Sequence, residues 1–455
     1  MPAGKLSHEN SMLGSVYIGA LLVLMDLSAI NIALPTIGAF FDMEPAEVSW
    51  LLILPMLTSS GFSMISGRLT ELAGPRKLLL MGNASFMVLT FLCFVVKDFE
   101  WILAFRILQG FPQSLIYVMG PALIRHRLHF SRRQQSYGIW MMCTGIGIAL
   151  GPFIGGFLVE NPGWNYVFLI NVPLALAGFV FALGMEKSKG SGAIWNKLDI
   201  PGSVLSFVFL ALLVFGLGLA RRKGIADPLV ASLLILSVVF LVLFLKQERK
   251  TRYPVFDLSL FRIRNFNLSM TGFFIFFFIN VGSRFLRPYY FEEGLSLSPR
   301  ESGYLMMIAP LVLVLVSGLS GFVGRFLSSY RMYLSGTVLL AVSTLMFCLW
   351  DGQSQTWFLV ITMVILGVAM GLYYPVSSFV GMSGLPDGKH GMGSAAISVS
   401  KSLGKLMGVL VFSQIFTWLL LEAGNDIVGA FRITFVIATG LAFLSVVLSV
   451  FLRRV

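Results

Sequence analysis

The sequence predicts an all-α polytopic membrane protein with fourteen transmembrane helices, arranged as two six-helix bundles plus a two-helix insert. Three observations predict it. Of the 455 residues, 57% are hydrophobic and only 12% charged, about half the charged share of a soluble chain. Apolar stretches of about 20 residues recur from end to end, the length that crosses a ~30 Å hydrocarbon core at 1.5 Å per helical residue. The longest polar segments, 186–199 and 247–265, divide these stretches into six, two and six.

The first span, near 12–36, continues past 20 apolar residues without an A-x-A-like site, so it is expected to be a retained helix. Spans near 48–67 and 78–96 flank a glycine-rich basic turn. Spans near 101–123, 137–160 and 165–185 complete an N-terminal bundle over 1–185. Spans near 200–219 and 228–246 form the insert within 186–265. The C-terminal bundle, 266–455, holds spans near 266–291, 302–323, 332–350, 356–380, 394–421 and 429–452. A faint internal echo relates the halves: Gly67…Gly82 and Gly321…Gly336 have the same spacing, each with basic residues between. Internal repeats with a site at their interface are a transporter design.

An even number of spans puts both termini on one side. Loops on that side hold Arg68, Arg76, Lys77, Arg125, Arg127, Arg132, Arg133, Lys246, Arg249 and Lys250, among others. The opposite loops hold Lys97, Arg221, Arg222, Lys223, Arg300 and Arg432. The positive-inside rule then places both termini in the cytoplasm, in a multi-pass cell inner (plasma) membrane protein. The net charge of +12 is mostly this bias, and nucleic acid is not an expected partner. Arg221-Arg222-Lys223 is the one loop that runs against the rule.

Several function classes fall away. Cys93, Cys143 and Cys348 lie inside apolar stretches and read as core residues, and the four histidines lie in the tail or the loops. No metal site and no nucleophile–base cluster at one depth is expected, so the chain does not read as an enzyme. Gly384-x-x-x-Gly388-Lys389-His390 is one residue short of a phosphate-binding loop and lacks its Ser or Thr. No cofactor is expected.

Five motifs stand in order. Asp26-x-x-x-x-Asn31-x-Ala33-Leu34-Pro35 lies in helix 1. Gly67, Arg68, Glu71, Gly74, Arg76 and Lys77 form the turn after helix 2, where a carboxylate beside basic residues can act as a conformational latch or simply make a basic turn. Arg106-x-x-Gln109-Gly110 lies in helix 4. Gly147, Gly151, Pro152, Gly155 and Gly156 lie in helix 5, small residues at i and i+4 for close helix contact with a proline for a bend. Trp164-x-x-x-Phe168-Leu169-Ile170-Asn171-Val172-Pro173 opens helix 6. Together these resemble the major facilitator superfamily, and within it the drug:proton antiporters with 14 transmembrane helices, which are multidrug exporters. The turn after helix 2 is similar to the superfamily's G-x-L-x-D-x-x-G-x-R-K loop, and the helix 5 run to the antiporter motif. The resemblance implies two bundles rocking around a central cavity, with export driven by proton influx. It also departs from the pattern: Glu71 replaces an Asp, and Arg325 stands where the second half's copy would carry a carboxylate.

Charges inside the spans carry the chemistry. An ionisable residue at mid-bilayer costs ~2.5–3.5 kcal/mol on insertion scales, so each asks for a partner or a function. Asp26 is the only carboxylate well inside the expected hydrocarbon. It is either a structural partner of a base or a proton carrier whose exposure alternates, with Arg106 either bonding helix ends or gating that proton. Candidate cavity-lining groups are Asn31, Gln109, Gln113, Tyr117, Trp140, Met141, Tyr373 and Tyr374. The second half adds Arg284, Arg287, Lys401 and Lys405 without an intramembrane acid, and Lys405 stands where the family commonly has glycine. Glu292 and Glu293 at the end of helix 9 are available to neutralise Arg287, and lysines can snorkel. The main expectation is a proton-coupled exporter of small amphipathic compounds, working as a monomer with accessory efflux proteins as conceivable partners. The alternative is an exporter or flippase of an anionic substrate such as an organic acid, fatty acid or lipid.

Overall fold

A computed structural model of the chain describes residues 3–187, 200–251, 260, 262–383, 385, 390–422 and 424–452. Most of both expected linkers, the phosphate-loop-like stretch through Lys389 and the basic pair Arg453–Arg454 lie outside them. Every regular element among the described residues is helical: α1 (Ala3–Phe41), the single turn α2 (Pro45–Val48), α3 (Trp50–Ala73), α4 (Pro75–Val95), α5 (Phe99–Arg127), α6 (Phe130–Glu160), the single turn α7 (Tyr166–Leu169) and α8 (Asn171–Leu183). The insert is α9 (Ile200–Lys223) and α10 (Pro228–Lys250). The second half comprises α11 (Arg264–Tyr289), continued by a wider π turn to Gly294, α12 (Pro299–Gly318), the single turn α13 (Ser320–Val323), α14 (Ser329–Cys348), α15 (Thr356–Met382), α16 (His390–Glu422) and α17 (Ile427–Val450). Among the described residues, thirteen helices are long and apolar enough to cross a membrane. The remaining expected span, α3, is a helix of 24 residues, several of whose side chains from position 64 onward lie outside the described ones.

Where helix limits differ from the sequence reading, a local interaction accounts for it. α1 begins nine residues before the apolar stretch because its polar first turns are tethered. Glu9 pairs with Arg132 of α6 at 3.0 Å, and the His8 ring lies 2.6 Å from the Gly184 carbonyl. The sixth expected span is broken at Ile170 into α7 and α8. Pro173 has no N–H to return to Leu169, so the hydrogen-bond ladder restarts. Gly74 joins α3 to α4 at φ +81°, a conformation that favours glycine, and Pro75 then starts α4.

Glycines set the packing. On α6, Gly147 meets the backbone of Leu21 and Met25, Gly151 meets Ser28, and Gly155 meets Ala29 and Ile32. Spaced by four, they make one face of α6 a groove for α1. In the second half α16 lies on α11 in the same way, with Gly404 against the Phe274 backbone and Gly408 against the Phe278 backbone. The first and fifth helices of each half thus pair alike. So do the third and fourth: Gly82 of α4 meets Leu115 and Ile116 of α5, as Gly336 of α14 meets Ala369 and Tyr373 of α15. The insert packs through α9 on α3, where Phe207 covers Gly61 and Trp50 covers Gly218.

The halves meet at the end of the molecule distal to the chain termini. Gly156 of α6 lies on the backbone of Pro299 and Arg300, Gly303 of α12 on that of Pro152, and Gly145 on Val314. The Ala46 N–H in α2 donates to Thr417 Oγ1 of α16 at 3.0 Å. Beyond the Gly145–Val314 contact, a side-chain carbon at Gly138 of α6 or Gly318 of α12 would meet nothing within 4 Å. Arg221 and Arg222, the exception to the charge bias, pair with Glu44 and Glu47 beside α2, the latter pair at 2.8 Å. Gly155→Val is therefore expected to destabilise the protein by about 1–3 kcal/mol, the usual cost of overpacking, whereas Gly138→Val changes it little. Thermal unfolding of the two variants in detergent checks this contrast.

Candidate functional site

Asp26 sits in the middle of α1, on the side turned toward α5 and α8, and is fully buried together with Arg106. The Arg106 Nη1 donates to Asp26 Oδ2 at 2.8 Å and to Gln109 Oε1 at 2.7 Å, while its Nε donates to the Leu51 carbonyl of α3 at 3.0 Å. Gln113 Nε2 donates to the same Asp26 oxygen at 3.0 Å, and Asn171 Nδ2 of α8 donates to the other oxygen at 3.0 Å. Gln109 Nε2 in turn reaches Thr90 Oγ1 of α4 at 2.5 Å. Five helices thus converge on one carboxylate. Helical spacing explains the α5 contribution, because 106, 109 and 113 lie at i, i+3 and i+7 on one face. The break before α8 explains the other, since it turns Asn171 inward at the first residue of the new helix.

Gln109 and Gln113, expected to line a cavity, are turned into this network, and both are buried. Asn31 is buried one turn and a half further along α1, with its Oδ1 lacking a hydrogen-bond partner. Arg106 keeps one unpaired nitrogen, Nη2, inside the network, a donor free to take a new acceptor if the carboxylate lets go. Thr90 and Asn171 were not singled out for this role. Asn171 was visible within the Trp164–Pro173 motif, but nothing in its spacing announces a partner on α1.

The latch residues divide. Arg76 donates to the Leu183 carbonyl at the end of α8 at 2.9 Å, Gly74 forms the turn and Lys77 is exposed. The surroundings of Gly67, Arg68 and Glu71 lie outside the described side chains.

Between the halves, Tyr117 of α5 packs on Trp140 of α6 with ring centres 5.1 Å apart, and Gly120 makes room for the indole. Tyr117 lies within electrostatic reach of Tyr374 on α15 across the gap. Met141 is on the exposed side of α6. Tyr373 departs from the cavity expectation: it is fully buried, stacked on Phe276 at 3.7 Å and bonded to the Tyr333 hydroxyl, so it belongs to the core of the second half. Tyr374, its neighbour, turns the other way, stacks on Phe277 at 5.1 Å and reaches Asn280 Oδ1 at 3.5 Å.

The basic residues of the second half separate similarly. Arg287 is buried, and its guanidinium is taken up by the Ser283 carbonyl at 3.2 Å and the Met363 sulfur at 3.0 Å. The expected pairing with Glu292 or Glu293 is not made: both acids lie in the π turn that follows α11, five and six residues beyond Arg287, and Glu292 Oε1 is buried without a partner. Lys401 Nζ donates to Ser377 and Ser378 at 3.2 and 3.0 Å, and both Lys401 and Lys405 lie over the Phe277 ring. Among the described residues, none of Arg284, Arg287, Lys401 and Lys405 is in an ion pair. An apolar pocket of about 860 Å³ opens elsewhere, on the flank of the first half between Phe62, Val88, Ile107, Phe111 and Phe207.

Removing one member of a buried pair leaves the other uncompensated, at a cost of about 3–5 kcal/mol. Arg106→Gln is therefore expected to lower stability by that order. Combining it with Asp26→Asn is expected to cost less than the two single changes together. A double-variant cycle of unfolding free energies in detergent measures the coupling.

Residues 16–409 and 268–455 match the family model described as Major Facilitator Superfamily. The riboflavin transporter RibZ of Clostridioides difficile (strain 630) is 25% identical, over 96% of this chain and 96% of its own. The methylenomycin A resistance protein of Bacillus subtilis (strain 168) is 25% identical over 90% and 88%, and the multidrug efflux pump LfrA of Mycolicibacterium smegmatis 26% identical over 87% and 79%. A crystal structure of a POT family transporter in complex with 5-aminolevulinic acid shares the fold, with a TM-score of 0.72 at 14% identity over 97% and 96% of the two chains. The chain is a multi-pass membrane protein that belongs to the major facilitator superfamily of small-molecule transporters, with drug and multidrug exporters among its relatives.

Proposed function

We propose that the protein is a proton-coupled exporter of small amphipathic compounds, working by alternating access in a cell inner membrane with both termini in the cytoplasm. The observation that carries the proposal is the fully buried Asp26–Arg106 pair at the centre of the first half, supported by exporter relatives such as the methylenomycin A resistance protein and LfrA. A carboxylate in hydrocarbon persists as an ion only while its counter-charge and donors stay in place. Protonation cancels the attraction to Arg106 and leaves the guanidinium bonded to Gln109 and Leu51 only.

With the termini inside, the end where Gly138 and Gly318 face open space is cytoplasmic, and the end joined by Ala46–Thr417 and Gly156–Pro299 faces outward. The paired carboxylate is then the form from which the proton has left, ready for a substrate arriving from the cytoplasm. Outward opening must separate Ala46 from Thr417 and Gly156 from Pro299, exposing Asp26 to the proton-rich side. Reprotonation there releases Arg106 and favours return. All these groups come from one chain, so the working unit is a monomer; an accessory efflux protein can extend its route.

Asp26→Asn, a permanently neutral side chain of the same shape, is expected to abolish substrate export driven by a pH gradient in proteoliposomes while substrate binding stays measurable. A variant that exports at the wild-type rate and still releases protons would sink the assignment of Asp26.

A further inference from the structure

We infer that the second half holds an anion-binding aromatic pocket, built by Phe277, Asn280 and Arg284 of α11, Tyr374 of α15 and Lys401 and Lys405 of α16, which takes the acidic group of a flat aromatic carboxylate or sulfonate as the transported substrate. The inference rests on the exporter reading and gives it a substrate class.

On α11, Phe277, Asn280 and Arg284 lie at i, i+3 and i+7, one face of the helix. On α16, Lys401 and Lys405 lie at i and i+4, one face of a helix that the glycine contacts at 404 and 408 press against α11. The two faces meet at the Phe277 ring, with Lys405 Nζ 5.3 Å and Lys401 Nζ 5.7 Å from its centre. Tyr374 stacks on the same ring at 16°. Arg284 lies within electrostatic reach of both Tyr374 and Lys405. Arg284, Tyr374, Lys401 and Lys405 are all partly exposed although they lie well inside their spans, so they border the space between the halves.

The hydrogen-bonding inventory of this surface is one-sided. Arginine and lysine carry donors and no acceptor. Asn280 is buried, its Oδ1 already accepts from Tyr374, and its Nδ2 donor has no partner. Three cations and an unsatisfied amide donor thus lie together with no carboxylate in an ion pair with them among the described residues. Snorkelling does not account for the lysines. A snorkelling ammonium reaches out of the apolar region, whereas Lys401 is held at Ser377, Ser378 and the Phe273 ring, 5.1 Å from its centre. Cation–π contacts soften the burial of the ammonium groups without neutralising them. A ligand that brings a negative group to Arg284, Lys405 and Asn280 supplies the missing charge and acceptors, and the partly exposed Tyr374 ring, backed by the buried Phe277, supplies a surface for a flat apolar body.

The test is equilibrium binding of 2-naphthoate, neutral 2-naphthamide and cationic 2-naphthylmethylammonium to the full chain in phosphatidylcholine nanodiscs, where no proton gradient exists. Naphthoate is expected to bind at least tenfold more tightly than the amide, and the ammonium most weakly. Lys405→Met, of similar length without charge, is expected to erase the preference for naphthoate over the amide, and Lys405→Arg to keep it. Equal binding of naphthoate and amide to the wild-type protein overturns the inference, whatever the variants do. A preference that survives Lys405→Met unchanged overturns the assignment of the pocket. Repeating the measurement with phosphatidylglycerol in the disc separates two sources of the anion: displacement of naphthoate assigns the pocket to a lipid headgroup, and undisturbed binding to a free aromatic acid. Failure here leaves proton-driven export intact, whereas absence of proton release with all three probes in proteoliposomes tells against the exporter reading.

Discussion

The cost of charge in hydrocarbon governs the interior of this protein, and the two halves meet it in opposite ways. The first half buries one anion and one cation together and surrounds them with amides: Arg106 donates to Gln109 as well as to Asp26, Gln113 donates to the same Asp26 oxygen, and Asn171 closes the second carboxylate oxygen. The site is almost complete in itself, and the donor left over is Arg106 Nη2. The second half places Arg284, Lys401 and Lys405 around aromatic rings with no acid paired to them among the described residues. A closed, near-neutral network suits a site that exchanges a proton. An open cationic one suits a site that exchanges a larger partner.

α6 joins these two problems mechanically. Its Gly147, Gly151 and Gly155 seat α1 along the turns on either side of Asp26, and Gly151 meets Ser28, two residues from the carboxylate. The adjoining positions Pro152 and Gly156 meet Gly303 and Pro299 of α12, where the halves close. One helix therefore touches the buried ion pair's helix on one face and the seam on the next. Backbone-to-backbone packing has little slack, so one short stretch of α6 fixes both the seat of α1 and the seam between the halves. The proline within the run adds a bend that side-chain packing alone would not impose.

Much of this was legible in the sequence because hydrocarbon imposes simple rules. Span lengths follow from bilayer thickness, and the isolated Asp26 and the glycine spacing of helix 5 each announce themselves by residue type. What the sequence withheld depended on side-chain direction. Gln109 and Gln113 read as cavity residues because an amide in a span suits a cavity or a buried charge equally well, and the face is set by where α1 lies. Tyr373 and Tyr374 are adjacent, so a helix must turn them some 100° apart, and one entered the core while the other faced the gap. The pairing of Arg287 with Glu292 or Glu293 fails on spacing: the acids stand five and six residues further on, beyond the i, i+3 and i, i+4 neighbours of a helix face, in the π turn after Tyr289.

The loop that broke the charge rule shows how a local interaction overrides a statistical one. Arg221 and Arg222 lie on the side where basic residues are scarce, yet they face Glu44 and Glu47 around α2. The acidic partners satisfy both guanidinium groups locally, whatever the bias of the other loops. The same short turn holds Ala46 against Thr417 of the opposite half. α2 is thus shared by the first half, the insert and the seam. Its ion pairs, with Phe207 over Gly61 and Trp50 over Gly218, fasten α9 to the first half. The hydrogen bond to Thr417 is a single contact between neutral groups, worth about 1 kcal/mol. The insert is thus fastened chiefly to the first half, although α9, like α2, also touches α16 of the second half.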